Sequence, residues 1–339
     1  MSKGHKWLRR YQREGEAGLT DHSRQPHHSP RRTPAAVEEA VIALREAHPA
    51  WGGRKLGAVL AARGLATPAA STVTAILKRH GRIDPTESVK HRPWQRFEQQ
   101  RPNQLWQMDF KGHFPVGEGR CHPLTVLDDH SRFALTIAAC PNEQTATVQN
   151  RLTAIFRRYG LPERMLMDNG SPWGDDPEHP YTHITVWLIR LGIAVSHGRP
   201  YHPQTQGKDE RFHRTLEAEL LRGRTFQDLD CCQRELDSWR DRYNLQRPHQ
   251  ALGLATPASR YQISPRAFPE TLPPIEYGPD DLVRKVQAKG EISFRRKLFK
   301  VGKAFKGYPV ALRPTLQAGL FEVYFCQQNI GQIDLRTPQ

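Results

Sequence analysis

The sequence has little cysteine and no long apolar run, and these two absences exclude several classes of protein. Only five of its 339 residues are cysteine, and none forms a Cys-x-x-Cys pair, so neither a zinc knuckle nor a disulfide framework is indicated. Inert thiols in a reducing cytoplasm are expected instead. No stretch is long and apolar enough to cross a membrane. The first residues, MSKGHKWLRRYQREG, also lack the apolar segment of a secretory signal.

Positive charge is distributed unevenly along the chain. Residues 1–100 carry a net charge of +9 and residues 278–339 carry +6, whereas residues 101–277 are neutral. Basic flanks of this kind neutralise phosphates and release counterions, and a neutral middle tolerates clustered carboxylates. The distribution therefore favours a nucleic-acid partner. The alternative is that the flanks only keep the protein soluble.

Three short helices are predicted in residues 33–82, after a linker rich in Pro, Ser, His and Arg. Thr33 and Pro34 are typical of a helix start, and apolar residues then recur at helical spacing. A tight turn before STVTAILKRHG suggests a helix-turn-helix whose third helix enters the major groove. Lys78 and Arg79 lie near the end of that helix, where they would contact phosphate rather than bases. A small helical bundle without a DNA role is the alternative.

The rest of the chain is predicted to hold an α/β domain and a small β-barrel. Residues 83–101 have the composition of a linker. Residues 102–262 follow the order strand, strand, strand, helix, strand, helix, strand, helix, with one further helix. Residues 263–280 form a Pro-rich linker, and short strands with glycine punctuation in residues 281–339 predict the barrel.

Three acidic residues of the middle domain lie in distinct settings. Asp109, in LWQMDFKG, is predicted near the end of a strand, on the face opposite Trp106 and Met108. Asp168, in MLMDNGSPWG, follows a short apolar strand. Glu210, in GKDERFHRTLEAEL, belongs to the first turn of a helix. In an α/β sheet, such strand ends and helix starts meet at one rim, where ligands bind.

Three carboxylates and water suit Mg²⁺ or Mn²⁺, which prefer oxygen ligands. Two such ions could activate an attacking oxygen and stabilise a leaving one, and the lack of nearby histidine or cysteine ligands argues against zinc. Simpler explanations exist for single residues: Asp168 before Asn-Gly could start a turn, and Glu210 could favour the helix dipole. Asp128 and Asp129 follow an apolar strand and could join the site, but a hairpin turn explains them better.

Asp209 competes with Glu210 for the third position. Its helical spacing aligns it with the core-facing residues Phe212, Leu216 and Leu220, whereas Glu210 is turned about 100° from that row. Glu210 is therefore preferred.

At these motifs the chain resembles the DDE integrase-core family, which includes retroviral integrases and bacterial insertion-sequence transposases. The matching pieces are LWQMDFKG, TVLDDHSRF, MDNGSPWG and PYHPQTQGKDERFHRTLEAEL. The resemblance extends to the helix-turn-helix, to YNLQRPHQALGLATPASRY and to the C-terminal barrel. It implies that residues 1–32 hold the remnant of a first helix-turn-helix. The interval from Asp168 to Glu210 is longer than in retroviral members, and GDDPEHPYTH is expected to loop out there.

The resemblance implies a ribonuclease H-like core with Asp109, Asp168 and Glu210 as catalytic and metal-binding residues. It also implies hydrolytic nicking at 3′ ends of an element, followed by attack of the 3′-OH on target DNA, in a homo-oligomer that synapses two double-stranded ends. Residues of the third motif would touch DNA, or else pack the loop and helix: Tyr201, Gln206, Lys208 and His213.

A Mg²⁺-dependent transposase acting on nucleoid DNA is thus the leading hypothesis. Two rivals stay open. One is a catalytically silent DNA-binding protein derived from a transposase, and the other is a nuclease that cuts without strand transfer, because hydrolysis and transesterification use the same metals.

Overall fold

A computed structural model describes residues 3–21, 33–83, 98–174, 180–198 and 207–336. The chain begins with α1 (Lys3–Glu14) and a 3₁₀ turn at Gly15–Leu19. Within the described ranges, no helix combines the length and the apolar character that a membrane span needs. Most of the predicted linker at 83–101 lies outside the described residues.

Three helices form the predicted N-terminal unit: α2 (Ala35–Ala47), α3 (Gly53–Ala62) and α4 (Ala70–Arg79). Their inner faces share one apolar cluster that includes Val41, Leu56 and Ile76. The contact between α3 and α4 is close, because a Cβ at Gly53 would lie 2.7 Å from the carbonyl oxygen of Ala70. Glycine at this position therefore lets the two helices approach.

A six-stranded mixed sheet forms the middle domain. Its strands are β1 (Trp106–Phe110), β2 (Phe114–Val116), β3 (Gly119–Asp128), β4 (Ala134–Cys140), β5 (Arg164–Met167) and β6 (Ala194–His197). The spatial order is β2-β3-β1-β5-β6, and β4 also pairs with β3. The pairs of β1 with β3 and of β3 with β4 are antiparallel, whereas β1, β5 and β6 run parallel. The predicted strand and helix order is confirmed, with the short β2 added.

Helices cover both faces of this sheet. On one face lie α5 (Thr145–Tyr159) and α6 (His183–Arg190), packed on Trp106 and Met108. On the other lie α7 (Gly207–Leu216), a π-helical turn at Glu217–Leu221, and α8 (Leu229–Leu245). Because β1 is central, Trp106, Gln107 and Met108 are all buried. The side chains alternate as predicted, so Gln107 and Asp109 point towards α7.

The C-terminal residues form a β-rich unit with two antiparallel sheets. Four strands pair in the order β12-β11-β10-β7 and two form a hairpin, β8-β9. Their bounds are β7 (Leu282–Lys285), β8 (Glu291–Phe294), β9 (Lys297–Lys300), β10 (Pro309–Pro314), β11 (Leu320–Phe325) and β12 (Gln328–Asp334). Buried side chains such as Ile292, Phe305 and Phe325 join the same apolar cluster as the α5–α6 face of the middle domain.

The segment predicted as a linker at 263–280 packs on the middle domain. The Ser264 hydroxyl donates to the Leu161 carbonyl at 2.6 Å. The Arg266 guanidinium donates to the carbonyls of Pro162 and Gly192 at 2.5 and 2.8 Å. The proline-rich composition correctly indicates irregular backbone. Side chains of such a segment can still fix it in place by hydrogen-bonding the free backbone carbonyls at the ends of neighbouring helices and strands.

Candidate active site

Asp109 and Asp168 lie at the ends of two adjacent parallel strands. Asp109 is the fourth residue of β1, and Asp168 directly follows β5, which pairs with β1 in parallel. Burial and, secondly, the charge of Asp168 together raise the pKa of Asp109 to about 7. Burial also raises the pKa of Asp168. The topology therefore brings together two carboxylates that resist ionisation.

A short turn fixes Asp168. The Gly170 backbone N–H donates to Asp168 Oδ1 at 3.1 Å, and the His197 ring lies with Nδ1 2.9 Å from the Asp168 carbonyl oxygen. The side chain of Asn169 donates to the Gly198 carbonyl at 2.8 Å. Asp-Asn-Gly thus makes a local turn, as one interpretation of the sequence predicted, and the same turn aims the carboxylate at the edge of the sheet beside Asp109.

Thr125 on β3 and His213 on α7 are neighbours of Asp109. Thr125 is the cross-strand partner of Asp109, and its hydroxyl donates to the Asp109 carbonyl at 3.0 Å. His213 Nε2 lies 2.8 Å from the same hydroxyl, so Nε2 carries the ring proton and Nδ1 has a free lone pair. That nitrogen is 3.9 Å from Asp109 Oδ2. Burial, and then the charge of Lys111, lowers the pKa of His213 to about 4.

Glu210 faces solvent in this structure. Its side chain is 68% exposed and accepts a hydrogen bond from Arg214, one turn further along α7, at 2.9 Å. Asp209 is buried with Phe212 and Leu216, as the helical spacing predicts. Within the described ranges, no three His, Cys, Asp or Glu side chains come close enough together to hold a metal ion. The first two acidic residues are thus brought together, and the third is near them in the fold but turned away.

The donor set nevertheless fits a divalent cation. Asp109 and Asp168 are oxygen donors whose pKa values are raised by burial and, at Asp109, by the charge of Asp168, and Mg²⁺ and Mn²⁺ prefer such ligands. A cation between them would remove the repulsion. Glu210 and His213 are three residues apart on α7, so they share one side of the helix.

The other residues predicted to touch DNA have mixed surroundings. Lys78 and Arg79 are exposed at the end of α4, where Arg79 pairs with Glu38 at 2.6 Å. The Lys208 ammonium contacts Asp129 inside the domain, and its side chain is 19% exposed. Tyr201 and Gln206 lie outside the described residues.

One acidic residue near the site, Glu143, was not predicted as a member of it. Glu143, between β4 and α5, raises the pKa of both Asp109 and Asp168 by its charge, and it is 2.8 Å from His122 Nδ1. Its position in the sequence, just before the predicted helix that follows a strand of the same sheet, could have identified Glu143 as a candidate. Asp128 and Asp129 are both buried, and Asp128 makes the predicted turn by accepting hydrogen bonds from the backbone and hydroxyl of Ser131.

Comparison with known proteins finds four family matches. An integrase core domain matches residues 99–203, and a second integrase core model matches residues 191–257. The C-terminal domain of IS481 family transposases matches residues 281–339, and a homeodomain-like domain matches residues 4–77. The matches cover the N-terminal helices, the sheet domain and the β-rich unit, and they confirm the family resemblance of the sequence motifs.

Two of the relatives come from bacterial insertion elements. The IS407 uncharacterized 31.7 kDa protein of Burkholderia multivorans is 27% identical over 50% of this chain and 61% of its own length. The IS476 uncharacterized 39.2 kDa protein of Xanthomonas euvesicatoria is 31% identical over 46% of this chain. The match spans 44% of that relative. Among solved structures, the catalytic core domain of BIV integrase is 25% identical, with a TM-score of 0.35. That match covers 46% of this chain and 92% of the BIV chain.

Proposed function

We propose that this chain, which belongs to the integrase-core family of insertion-sequence transposases and retroviral integrases, is a DDE transposase that cuts DNA 3′ ends and joins them to target DNA. The pair of half-buried carboxylates at the ends of adjacent parallel strands, Asp109 and Asp168, carries the proposal. Phosphodiester chemistry of this type needs oxygen ligands at a rim that a long polyanion can reach.

Asp109 and Asp168 would hold Mg²⁺ or Mn²⁺, and Glu210 would join them after leaving Arg214. When bound, a pair of such ions supplies Lewis-acid activation of the attacking oxygen and stabilisation of the leaving oxygen. The chain's own contribution is position: the Thr125 hydroxyl holds the backbone of Asp109, and the Gly170 amide holds the carboxylate of Asp168. Because the pKa of His213 is about 4, its ring is neutral near pH 7. It therefore does not neutralise the negative charge of Asp109, which stays available to bind the cation.

The DNA would be held by the flanking domains and by the third motif. Residues 1–100 and 278–339 carry the net positive charge of the chain, which suits phosphate binding. Lys78 and Arg79 would contact phosphate from α4, and Tyr201, Gln206, Lys208 and His213 would line the approach to the carboxylates. We propose a homo-oligomer that synapses two ends of double-stranded DNA in the bacterial cytoplasm.

The test uses a labelled duplex with the terminal repeat of the element, a plasmid target and Mg²⁺. Wild type is compared with Asp168→Asn and with Asp237→Asn, which makes the same change at an ion pair on the surface of α8. We expect nicked and joined products from wild type and Asp237→Asn. Asp168→Asn should lose at least about a hundredfold in rate, because stabilising the charge that develops in the transition state usually contributes more to catalysis than any other effect.

Other outcomes identify the rival functions. Nicking without joined products would indicate a nuclease. Tight binding of the repeat by all three proteins, with neither nicking nor joining, would indicate a silent DNA-binding protein and contradict the proposal.

A further inference from the structure

Asp129 is a buried carboxylate with several hydrogen-bond donors around it. Its side chain is fully buried. Gln107 Nε2 donates to Oδ1 at 2.7 Å, and the Gln99 backbone N–H donates to Oδ2 at 2.9 Å. The Lys208 ammonium makes an ion pair with Oδ1 and also lies 3.4 Å from the Asp129 carbonyl. The Asp129 backbone N–H donates to the Leu105 carbonyl at 2.9 Å. Asp129 is therefore rigidly fixed and satisfied on both oxygens.

The two side chains bound by Oδ1 each lie two residues before one of the proposed metal ligands. Gln107 precedes Asp109 on β1 and points to the same face of the sheet. Lys208 precedes Glu210 in the first turn of α7. One carboxylate oxygen thus connects the strand that carries Asp109 to the helix that carries Glu210.

Apolar packing alone does not account for this contact. Buried ion pairs generally stabilise a fold no more than apolar side chains of the same volume would, and their best-attested role is to specify register. The next residue on α7, Asp209, is also buried, and its Oδ1 has no hydrogen-bond partner. Lys208 is a cation facing both Asp129 and Asp209. The first turn of α7 is therefore connected to β1 through the contacts of Asp129 with Lys208 and Gln107.

We infer that Asp129, through Lys208 and Gln107, is a positioning residue that sets the register of α7 against β1 and so the place of Glu210 relative to Asp109. The inference rests on the proposed function for its consequence in catalysis. It also gives Lys208 a role inside the domain, in addition to or instead of a contact with DNA. Asp129 touches neither the reacting phosphate nor the cation.

The test combines hydrogen exchange with activity in the full-length protein. Asp129→Asn keeps the shape and removes the charge that holds Lys208. We expect amide exchange of residues 211–216 in α7 to become about tenfold faster, because helix opening no longer breaks a buried ion pair. Asp237→Asn, the same substitution at an exposed pair on α8, should leave α7 exchange unchanged.

Activity gives a readout that general destabilisation would not. Mg²⁺ demands near-ideal octahedral geometry, so a displaced Glu210 should impair reactions in Mg²⁺ most. We expect strand transfer by Asp129→Asn to fall at least about tenfold in Mg²⁺, to recover several-fold in Mn²⁺, and DNA-end affinity to stay within about twofold.

Lys208→Gln and the double variant complete the cycle. If the ion pair is the link, the double variant should lose no more activity than the worse single variant. Additive losses, with weaker DNA binding in Lys208→Gln, would show that Lys208 acts on DNA and would overturn the inference.

Unchanged α7 exchange in Asp129→Asn would also overturn it, as would equal losses in Mg²⁺ and Mn²⁺. If wild type neither nicks nor joins DNA, the proposed function fails. The link between Asp129 and α7 is then decided by exchange alone, with faster exchange supporting it and unchanged exchange refuting it.

Discussion

Replacing Asp109 by asparagine should make the metal-free protein more stable, and the gain should grow with pH. The pKa of Asp109 is about 7, against 3.8 for an ordinary aspartate, mainly because the carboxylate is buried and secondly because Asp168 is near. Between pH 4 and 7 the folded protein holds a proton that the unfolded chain has lost. Stability therefore falls as pH rises through this window. Asparagine has almost the same shape and carries no charge, so it avoids this loss.

The size of the effect follows from the two pKa values of Asp109. A difference of about 3 in pKa corresponds to about 4 kcal/mol once the group is ionised in both states. At pH 5 the folded state keeps its proton, and the difference is about 2 kcal/mol. The side chain is 27% exposed, so water screens part of the repulsion and these values are upper limits.

Urea unfolding of wild type and Asp109→Asn in EDTA at pH 5 and pH 8 measures the prediction. A useful comparison is Asp334→Asn, because Arg336 lowers the pKa of Asp334 to about 2, and this substitution should not stabilise the protein at either pH. Added Mg²⁺ should stabilise wild type, which can bind it, and leave Asp109→Asn unchanged. Equal stability of wild type and Asp109→Asn at pH 8 would refute the reasoning, since it would mean that the carboxylate is solvated and unopposed.

Two further predictions concern groups around the site. The ring nitrogen shifts of His213 should keep the values of a neutral imidazole from pH 5.5 to 8 in NMR spectra, because its pKa is about 4, and Lys111→Met should raise that pKa. Imidazolium shifts that appear with a midpoint near 6.5 in wild type would contradict the buried, neutral ring. Gly160→Ala should cost about 2–4 kcal/mol in unfolding experiments, since its φ is +74° and a Cβ would lie 2.7 Å from the Ser264 carbonyl oxygen. Gly223→Ala shares a φ of +72° but meets no atom within 4 Å, so it should cost only about 1 kcal/mol; equal costs would refute the close packing of the 263–280 segment.

The helical phase of α7 is an example of what the sequence could predict. Asp209 and Glu210 are neighbours of similar chemistry, and only the spacing to Phe212 and Leu216 separates them. The structure buries Asp209 with those residues and exposes Glu210. Asp109 was equally predictable, because aspartate is disfavoured within a strand, whereas Asp168 also had a local explanation, the Asp-Asn-Gly turn that the structure contains. Both signals depend on the periods of regular secondary structure, which are local properties of the chain.

Three features of the structure depend on tertiary contacts, which leave no periodic pattern in the sequence. The pairing of Glu210 with Arg214 is one of several side-chain arrangements that α7 allows. The packing of Ser264 on Leu161 joins segments 103 residues apart. Glu143, whose charge acts on both aspartates, lies between β4 and α5, and the place of that connection beside β1 and β5 depends on how the sheet is assembled. Sequence patterns predict which elements form, whereas these contacts require the elements to be assembled first.

The acidic groups around α7 and β1 differ in whether a lysine accompanies them. Asp129 has Lys208, and Glu217 has Lys111 at 2.5 Å. Asp109 and Asp168 form no ion pair with lysine or arginine within the described part of the chain, and the ring beside Asp109 is a neutral histidine. A fold that needed only to bury these carboxylates would be more stable with cations beside them too. Lysines thus neutralise Asp129 and Glu217. The carboxylates at the two strand ends, Asp109 and Asp168, are left without such a partner, and a divalent cation and a DNA phosphate would meet there.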